Sequence, residues 1–180
     1  MNASTTNAFS YLISTLIDLY IAAVLLRLLL QWVRADFYNP VCQFLVKVTN
    51  PVLVPLRRVI PSIGRLDTAS VVLMLLLEIA AVWILSRLSA SPIGLGPVVT
   101  FSVMKLLATV LWTYFFLIIA MVILSWFGNR LQHPIIPLIY QLTYPVLRPI
   151  RKWIPAIAGI DLSPLFALIA IRFLLLLLGW

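Results

Sequence analysis

Only 10% of the 180 residues are charged, five are acidic, and the chain has one cysteine and one histidine. Soluble domains carry about 25% charged residues, so a chain this poor in charge lacks the hydrated surface of a soluble enzyme. Cys42 has no second cysteine for an intramolecular disulfide. Cys42 and His133 do not make a metal-ligand set, and no paired-cysteine or His-x-x-x-His spacing occurs. A phosphate-cradling loop, a dinucleotide fingerprint and a nucleophile elbow are missing too. No catalytic residue, cofactor or metal site is therefore expected, and the protein reads as a non-enzyme. His133 could ligate a haem iron, but directly before Pro134 at the start of a loop helix it reads as structural.

What the chain does have is apolar length. Hydrophobic residues make up 63% and mean hydropathy is +1.12, and a bilayer crossing needs about 20 apolar residues. Four such spans are expected, over about 9–32, 68–88, 98–127 and 162–180. The first has no small-residue cleavage site and reads as retained. Trp32, Trp126 and Trp180 fall near span ends, where indole rings favour the interface. Gly94 and Gly96 with Pro92 and Pro97 mark a short outer turn.

The net charge of +8 would point to nucleic acid in a soluble protein. Here the positions of the basic residues give another reason. Arg34, Lys47, Arg57, Arg58 and Arg65 lie between spans one and two, and Arg130, Arg148, Arg151 and Lys152 between spans three and four. Residues 1–17 and 88–104 carry no charge. Basic loops stay in the cytoplasm, so both connections are expected inside and both termini outside. No nucleic-acid partner is expected.

The chain also repeats itself. Pro51-Val-Leu-Val-Pro-Leu-Arg-Arg-Val-Ile-Pro-Ser-Ile-Gly-Arg-Leu-Asp67 aligns with Pro145-Val-Leu-Arg-Pro-Ile-Arg-Lys-Trp-Ile-Pro-Ala-Ile-Ala-Gly-Ile-Asp161 at an offset of 94, with nine of seventeen positions identical. The same offset pairs Trp32 with Trp126, Pro40 with Pro134 and Thr49 with Thr143. The expected architecture is thus an all-α membrane protein of four transmembrane helices in two tandem parallel repeats, 1–94 and 95–180. Each repeat would be span, connection, span, so the copies share one orientation, unlike inverted-repeat transporters.

In the first connection Val41, Phe44, Leu45 and Val48 share one helical face, and Ile135, Leu138, Ile139 and Leu142 repeat it. This short amphipathic helix is expected to start after Asn39 and stop before Pro51, because a proline disfavours helical geometry in the residue before it. Pro51, Pro55 and Pro61, with Pro145, Pro149 and Pro155, would then stiffen a basic turn. That turn would hold Arg57, Arg58, Arg148, Arg151 and Lys152 toward anionic lipid or a partner protein, each lipid contact contributing about 1 kcal/mol. Topology anchoring alone is the plainer reading. Asp67 and Asp161 precede spans two and four and are expected to cap them.

Asp18, Arg27, Glu78, Lys105 and Arg172 lie within expected spans, where each costs about 2.5–3.5 kcal/mol at a helix centre. Pairing is the expected remedy. The offset relates Glu78 to Arg172, and equal depth relates Asp18 to Lys105, while Arg27 is near enough to a span end to snorkel. A polar path for an ion is the functional alternative.

The doubled Pro-Val-Leu-x-Pro-(Leu/Ile)-Arg-(Arg/Lys)-x-Ile-Pro…Asp segment, with Gln31-Trp32-Val33-Arg34-Ala35-Asp36-Phe37-Tyr38-Asn39-Pro40 before its first copy, resembles the bacterial YggT family, whose YlmG-type relatives in chloroplasts and Gram-positive bacteria generally carry one copy. The resemblance covers essentially the whole chain. It implies a small multi-span protein of the bacterial inner membrane, associated with osmotic or ionic stress tolerance in some bacteria, with placement of division machinery or nucleoids in others, and with cytochrome assembly in plastids. In the second copy Gly128, Arg130 and His133 replace Arg34, Asp36 and Asn39, so a role tied to that polar stretch belongs to the first half. The leading expectation is a scaffold or assembly factor that engages anionic lipid and an as yet unidentified membrane or cytoplasmic protein. The competing one is cation transport, or modulation of ion flux, by a homo-oligomer.

Overall fold

The computed structural model describes residues 3–64, 66–88, 93–127, 133–154 and 161–180. Among these the chain is helical: α1 (Ala3–Trp32), α2 (Pro40–Val59), α3 (Thr68–Leu88), α4 (Leu95–Phe127), α5 (Ile135–Trp153) and α6 (Ser163–Leu177). Extended pairing among the described residues is limited to an isolated Ile63–Leu66 bridge. Asn7–Trp32, Thr68–Leu88 and Leu95–Phe127 have the length and apolar composition of membrane spans.

Packing divides the chain into two units, Met1–Leu28 with Phe44–Leu107, and Leu29–Gln43 with Ala108–Trp180. In unit 1 the buried apolar residues include Val24 and Leu25 of α1, Leu53 of α2, Ala69 and Ala81 of α3, and Val98 of α4. In unit 2 Ile118 and Met121 of α4, Ile139 and Leu147 of α5, and Ile171 and Leu175 of α6 form one cluster.

Two helix ends are set by the same device. After α1, Arg34 N–H donates to the Gln31 carbonyl at 3.2 Å and Ala35 N–H to the Leu30 carbonyl at 2.9 Å. After α6, Gly179 N–H reaches the Leu176 carbonyl at 3.1 Å and Trp180 N–H the Leu175 carbonyl at 2.9 Å. Both are Schellman closures, which need a left-handed residue. Gly179 supplies it at φ 82°, but in α1 the position falls to Arg34 at φ 55°. The closure makes α6 a 15-residue helix, about 22 Å long, against the ~30 Å of a hydrocarbon core.

The amphipathic helices differ from expectation in length and in buried face. Neither stops at its first proline: α2 runs through Pro51 and Pro55, and α5 through Pro145 and Pro149. The expected proline-stiffened turn is thus the second half of each helix. Proline lacks an N–H and crowds the preceding turn, but all four prolines lie on the exposed side, where the carbonyls they leave unpaired can be solvated. The buried face of α2 is Cys42, Leu45, Thr49 and Leu53, whereas Phe44 and Val48 are exposed. In α5 Leu138, Ile139 and Leu142 are buried as expected and Ile135 is not. Lengthening each helix moves the centre of its buried stripe onto the 45/49/53 and 139/143/147 positions, which the 94-residue offset relates. Pro155 lies outside the described residues, as do Arg65, Pro92, Gly128 and Arg130.

Candidate functional site

The basic end of α2 is tied to the start of α3. Arg57 Nε donates to Asp67 Oδ2 at 3.2 Å and its Nη2 donates to the same oxygen. The intervening chain turns at Gly64, φ 60°, where Ile63 and Leu66 exchange main-chain hydrogen bonds at 3.1 and 3.0 Å. Thr68 Oγ1 donates to the Pro61 carbonyl at 2.5 Å, which gives Pro61 a fixed place in the turn. Asp67 also accepts from Ser70 Oγ at 2.5 Å, which ties its carboxylate to the first turn of α3 while it pairs with Arg57. Burial alone would raise the Asp67 pKa, but the hydrogen bonds from Arg57 and Ser70 and the guanidinium charge outweigh it and hold the carboxyl below its ordinary value.

The second copy repeats the tie at the same ten-residue spacing. Arg151 Nε donates to Asp161 Oδ2 at 2.8 Å, and Asp161 Oδ1 accepts the Ser163 amide at 2.9 Å. Burial again opposes ionisation, and the Ser163 and Arg151 donors again hold the pKa low. The two clasps differ in exposure: the Asp67 side chain is 0% exposed and that of Asp161 38%. Arg57 and Arg151, expected to face lipid phosphates, therefore have internal counterions. Arg58 and Lys152, one residue further on, are exposed. Arg148 is also exposed and stacks at 5.9 Å over Tyr144. Tyr144, Arg148 and Lys152 are four residues apart, so they line one outer face of α5, and exposed Trp153 follows at its end.

The helix starts correspond as well. Asn39 Oδ1 accepts the Val41 amide at 2.9 Å, and the Asn39 side-chain amide donates to the Pro134 carbonyl at 2.6 Å. At the equivalent position in sequence His133 Nδ1 accepts the Ile135 amide at 3.3 Å, which engages the ring nitrogen just ahead of α5, whose N-cap is Pro134. Burial, followed by the charge of Asp36, raises the Cys42 thiol pKa. Among the described residues no group of three or more His, Cys, Asp and Glu is gathered for a metal.

Three charges of unit 1 meet in the span region. Lys105 Nζ of α4 lies 2.8 Å from Asp18 Oδ1 of α1 and 2.6 Å from Glu78 Oε1 of α3. The Glu78 contact is a close ion pair, and Oε2 has no hydrogen-bond partner among the described residues. Glu78 thus takes Lys105 as counterion, not the expected Arg172. The offset equates helices in sequence, whereas the neighbour of α3 inside unit 1 is α4. Arg172 donates to the Trp180 carbonyl at 3.3 Å and lies 5.8 Å over the Trp112 ring. Arg27 is buried at 6% exposure and donates to Thr49 Oγ1 at 2.5 Å, which itself donates to the Leu45 carbonyl at 2.6 Å. It does not snorkel.

The clasps have a signal in the sequence that a capping role for the aspartates does not use: arginine and aspartate keep one spacing in both copies. The Arg27–Thr49 bond had a weaker signal, a repeated threonine on an otherwise apolar face.

A sequence model of the CCB3/YggT family matches this chain twice, over residues 6–88 and 100–180. The chain belongs to the CCB3/YggT family. The YggT protein of Escherichia coli K12 is 42% identical over 166 residues, 88% of this chain and 82% of that protein. A Vibrio alginolyticus protein encoded 3′ of proC is 42% identical over 175 residues, 96% and 94% of the two chains. A Pseudomonas aeruginosa protein is 40% identical over 164 residues, 90% and 83%. All three are described as uncharacterised. No solved structure matches the chain. The two segments matched by the CCB3/YggT model each contain one clasp.

Proposed function

We propose that the protein is a non-enzymatic organiser of the bacterial inner membrane that docks anionic lipid, and through it a partner protein, on the basic ends of α2 and α5. The observation that carries this reading is the doubled clasp. It ties the end of each amphipathic helix to the start of the next apolar helix, so that Arg58, Lys152 and Arg148 project beside a tied helix end. A helix end that is already tied loses less conformational freedom on binding than a free one, and aromatic Tyr144 and Trp153 on α5 suit the headgroup layer. The arrangement requires α6 to serve as a fourth, short span and both amphipathic helices to lie on the cytoplasmic side with both termini outside. The double family match supports the tandem-repeat part of this reading.

The test is lipid preference in nanodiscs of mixed phosphatidylglycerol and phosphatidylcholine. Neutralising Arg58, Arg148 and Lys152 to Gln should cost about 1 kcal/mol of anionic-lipid preference per charge, read from spin-labelled lipids. An unchanged preference in the triple variant would falsify lipid docking. The partner is sought by photo-crosslinking from positions 58 and 152 in native membranes. The Asp18–Lys105–Glu78 set favours a second reading, cation flux or its modulation by a homo-oligomer. A K⁺ or H⁺ flux in proteoliposomes that Glu78→Gln abolishes would replace the first reading with this one.

A further inference from the structure

The charge set of unit 1 has one acid too many. With Asp18 and Glu78 ionised against one Lys105 ammonium, it carries one net negative charge. The excess sits where it is costly, because Glu78 is 0% exposed and a buried charge needs both a counterion and hydrogen bonds. Lys105 is already shared with Asp18, to which it donates at 2.8 Å. Oε2 of Glu78 has no hydrogen-bond partner among the described residues.

The repeat shows that helix packing alone does not require these acids. At the 94-residue offset, Trp112 and Arg172 replace Asp18 and Glu78, and within unit 2 they satisfy each other as a cation over an aromatic ring at 5.8 Å. The second copy fills the two positions without a carboxylate, whereas the first has two. The charged groups that act on Glu78 are Lys105 from α4 and Asp18 from α1. Arg57 of α2 is engaged with Asp67, and Arg27 of α1 with Thr49.

We propose that Glu78, through its Oε2 and with Asp18 nearby, binds one monovalent cation, a proton or an alkali metal ion, which makes the set neutral. Binding of either ligand removes the net charge and weakens the hold of Glu78 on Lys105, which leaves the ammonium to Asp18. This site stands apart from lipid docking at the helix ends and is read out separately.

Glu78 is the only glutamate in the sequence, so carbon-13 at the glutamate δ-carbon labels one site in the unaltered protein. In lipid nanodiscs its resonance is followed first across the neutral pH range in choline buffer, then at fixed pH as NaCl or KCl is added. A shift that titrates with pH alone identifies the proton, and one that saturates with Na⁺ or K⁺ identifies the metal ion. A resonance that moves in neither titration overturns the proposal. Asp18→Asn should weaken the binding about tenfold, as expected when one nearby like charge is removed. An unchanged midpoint in that variant overturns the part assigned to Asp18.

Discussion

Asp67 and Asp161 each accept an arginine ten residues upstream, but only Asp67 is fully buried. Breaking a fully buried pair costs about 3–5 kcal/mol and exposed pairs contribute about 0–1 kcal/mol; with Asp67 buried and Arg57 31% exposed, the first clasp falls between these limits and the second at the lower one. Asp67→Asn should therefore lower thermal stability in detergent more than Asp161→Asn. The pH dependence follows from the lowered Asp67 pKa. The clasp's contribution is complete above the ordinary carboxylate value of about 3.9 and is lost as pH falls through the lower folded value. The melting temperature of wild type should fall on acidification in this window, and that of Asp67→Asn should fall less. Glu78 and Lys105 make a second residue-level prediction. Glu78→Gln and Lys105→Gln combined should cost less than the sum of the single changes, as expected for residues in contact, and additive losses would count against their pairing. That the intramembrane charges must pair was legible from their positions, but the partner of Glu78 was not. The choice depends on which helices are neighbours, which a sequence offset does not encode.

At the scale of helices, periodicity located α2 and α5, and Asn39 with Pro40 marked a start. Their far ends lie beyond the prolines that the sequence alone marks as stops. A stop is the right expectation only when the carbonyl it frees would be buried, and here the prolines fall opposite Leu53 and Leu147, at 0% and 1% exposure. The corrected faces can be tested by packing. Leu53→Ala and Leu147→Ala should each cost about 2–5 kcal/mol in cavity and transfer terms, while exposed Phe44→Ala should stay within about 0.5 kcal/mol, by denaturant or thermal unfolding. The end of α1 carries its own strain. Arg34 holds φ 55°, a region that costs a non-glycine residue about 1 kcal/mol or more, and the second copy has Gly128 at the equivalent place in sequence. Arg34→Gly should be neutral or stabilising in the same unfolding measurement, and Arg34→Val clearly destabilising. The closure of α6 at Leu177 was likewise present in the sequence as Gly179, two residues past the helix end.

For the molecule as a whole, the 94-residue offset ties together features that periodicity reads separately: two amphipathic helices, two clasps and two helix starts at which a side chain accepts a main-chain amide. The family model finds the same two segments. What depends on the bilayer is the number of crossings, because a 15-residue α6 is short for a span and the side of the C-terminus follows from it. Cys42 is the sole cysteine and is buried, so a Cys42→Ala background gives a clean reporter for single exposed cysteines. Ser62→Cys and Gln141→Cys should both react with a membrane-impermeant maleimide only when the cytoplasmic face is open, because parallel repeats place the two connections on one side. Thr5→Cys and a cysteine appended after Trp180 should react from the opposite face if α6 crosses the membrane. Labelling of Ser62→Cys and Gln141→Cys from opposite faces would overturn the parallel repeat. A C-terminal cysteine that reacts from the same face as Ser62→Cys would leave three crossings and put α6 on the cytoplasmic side beside the basic helices.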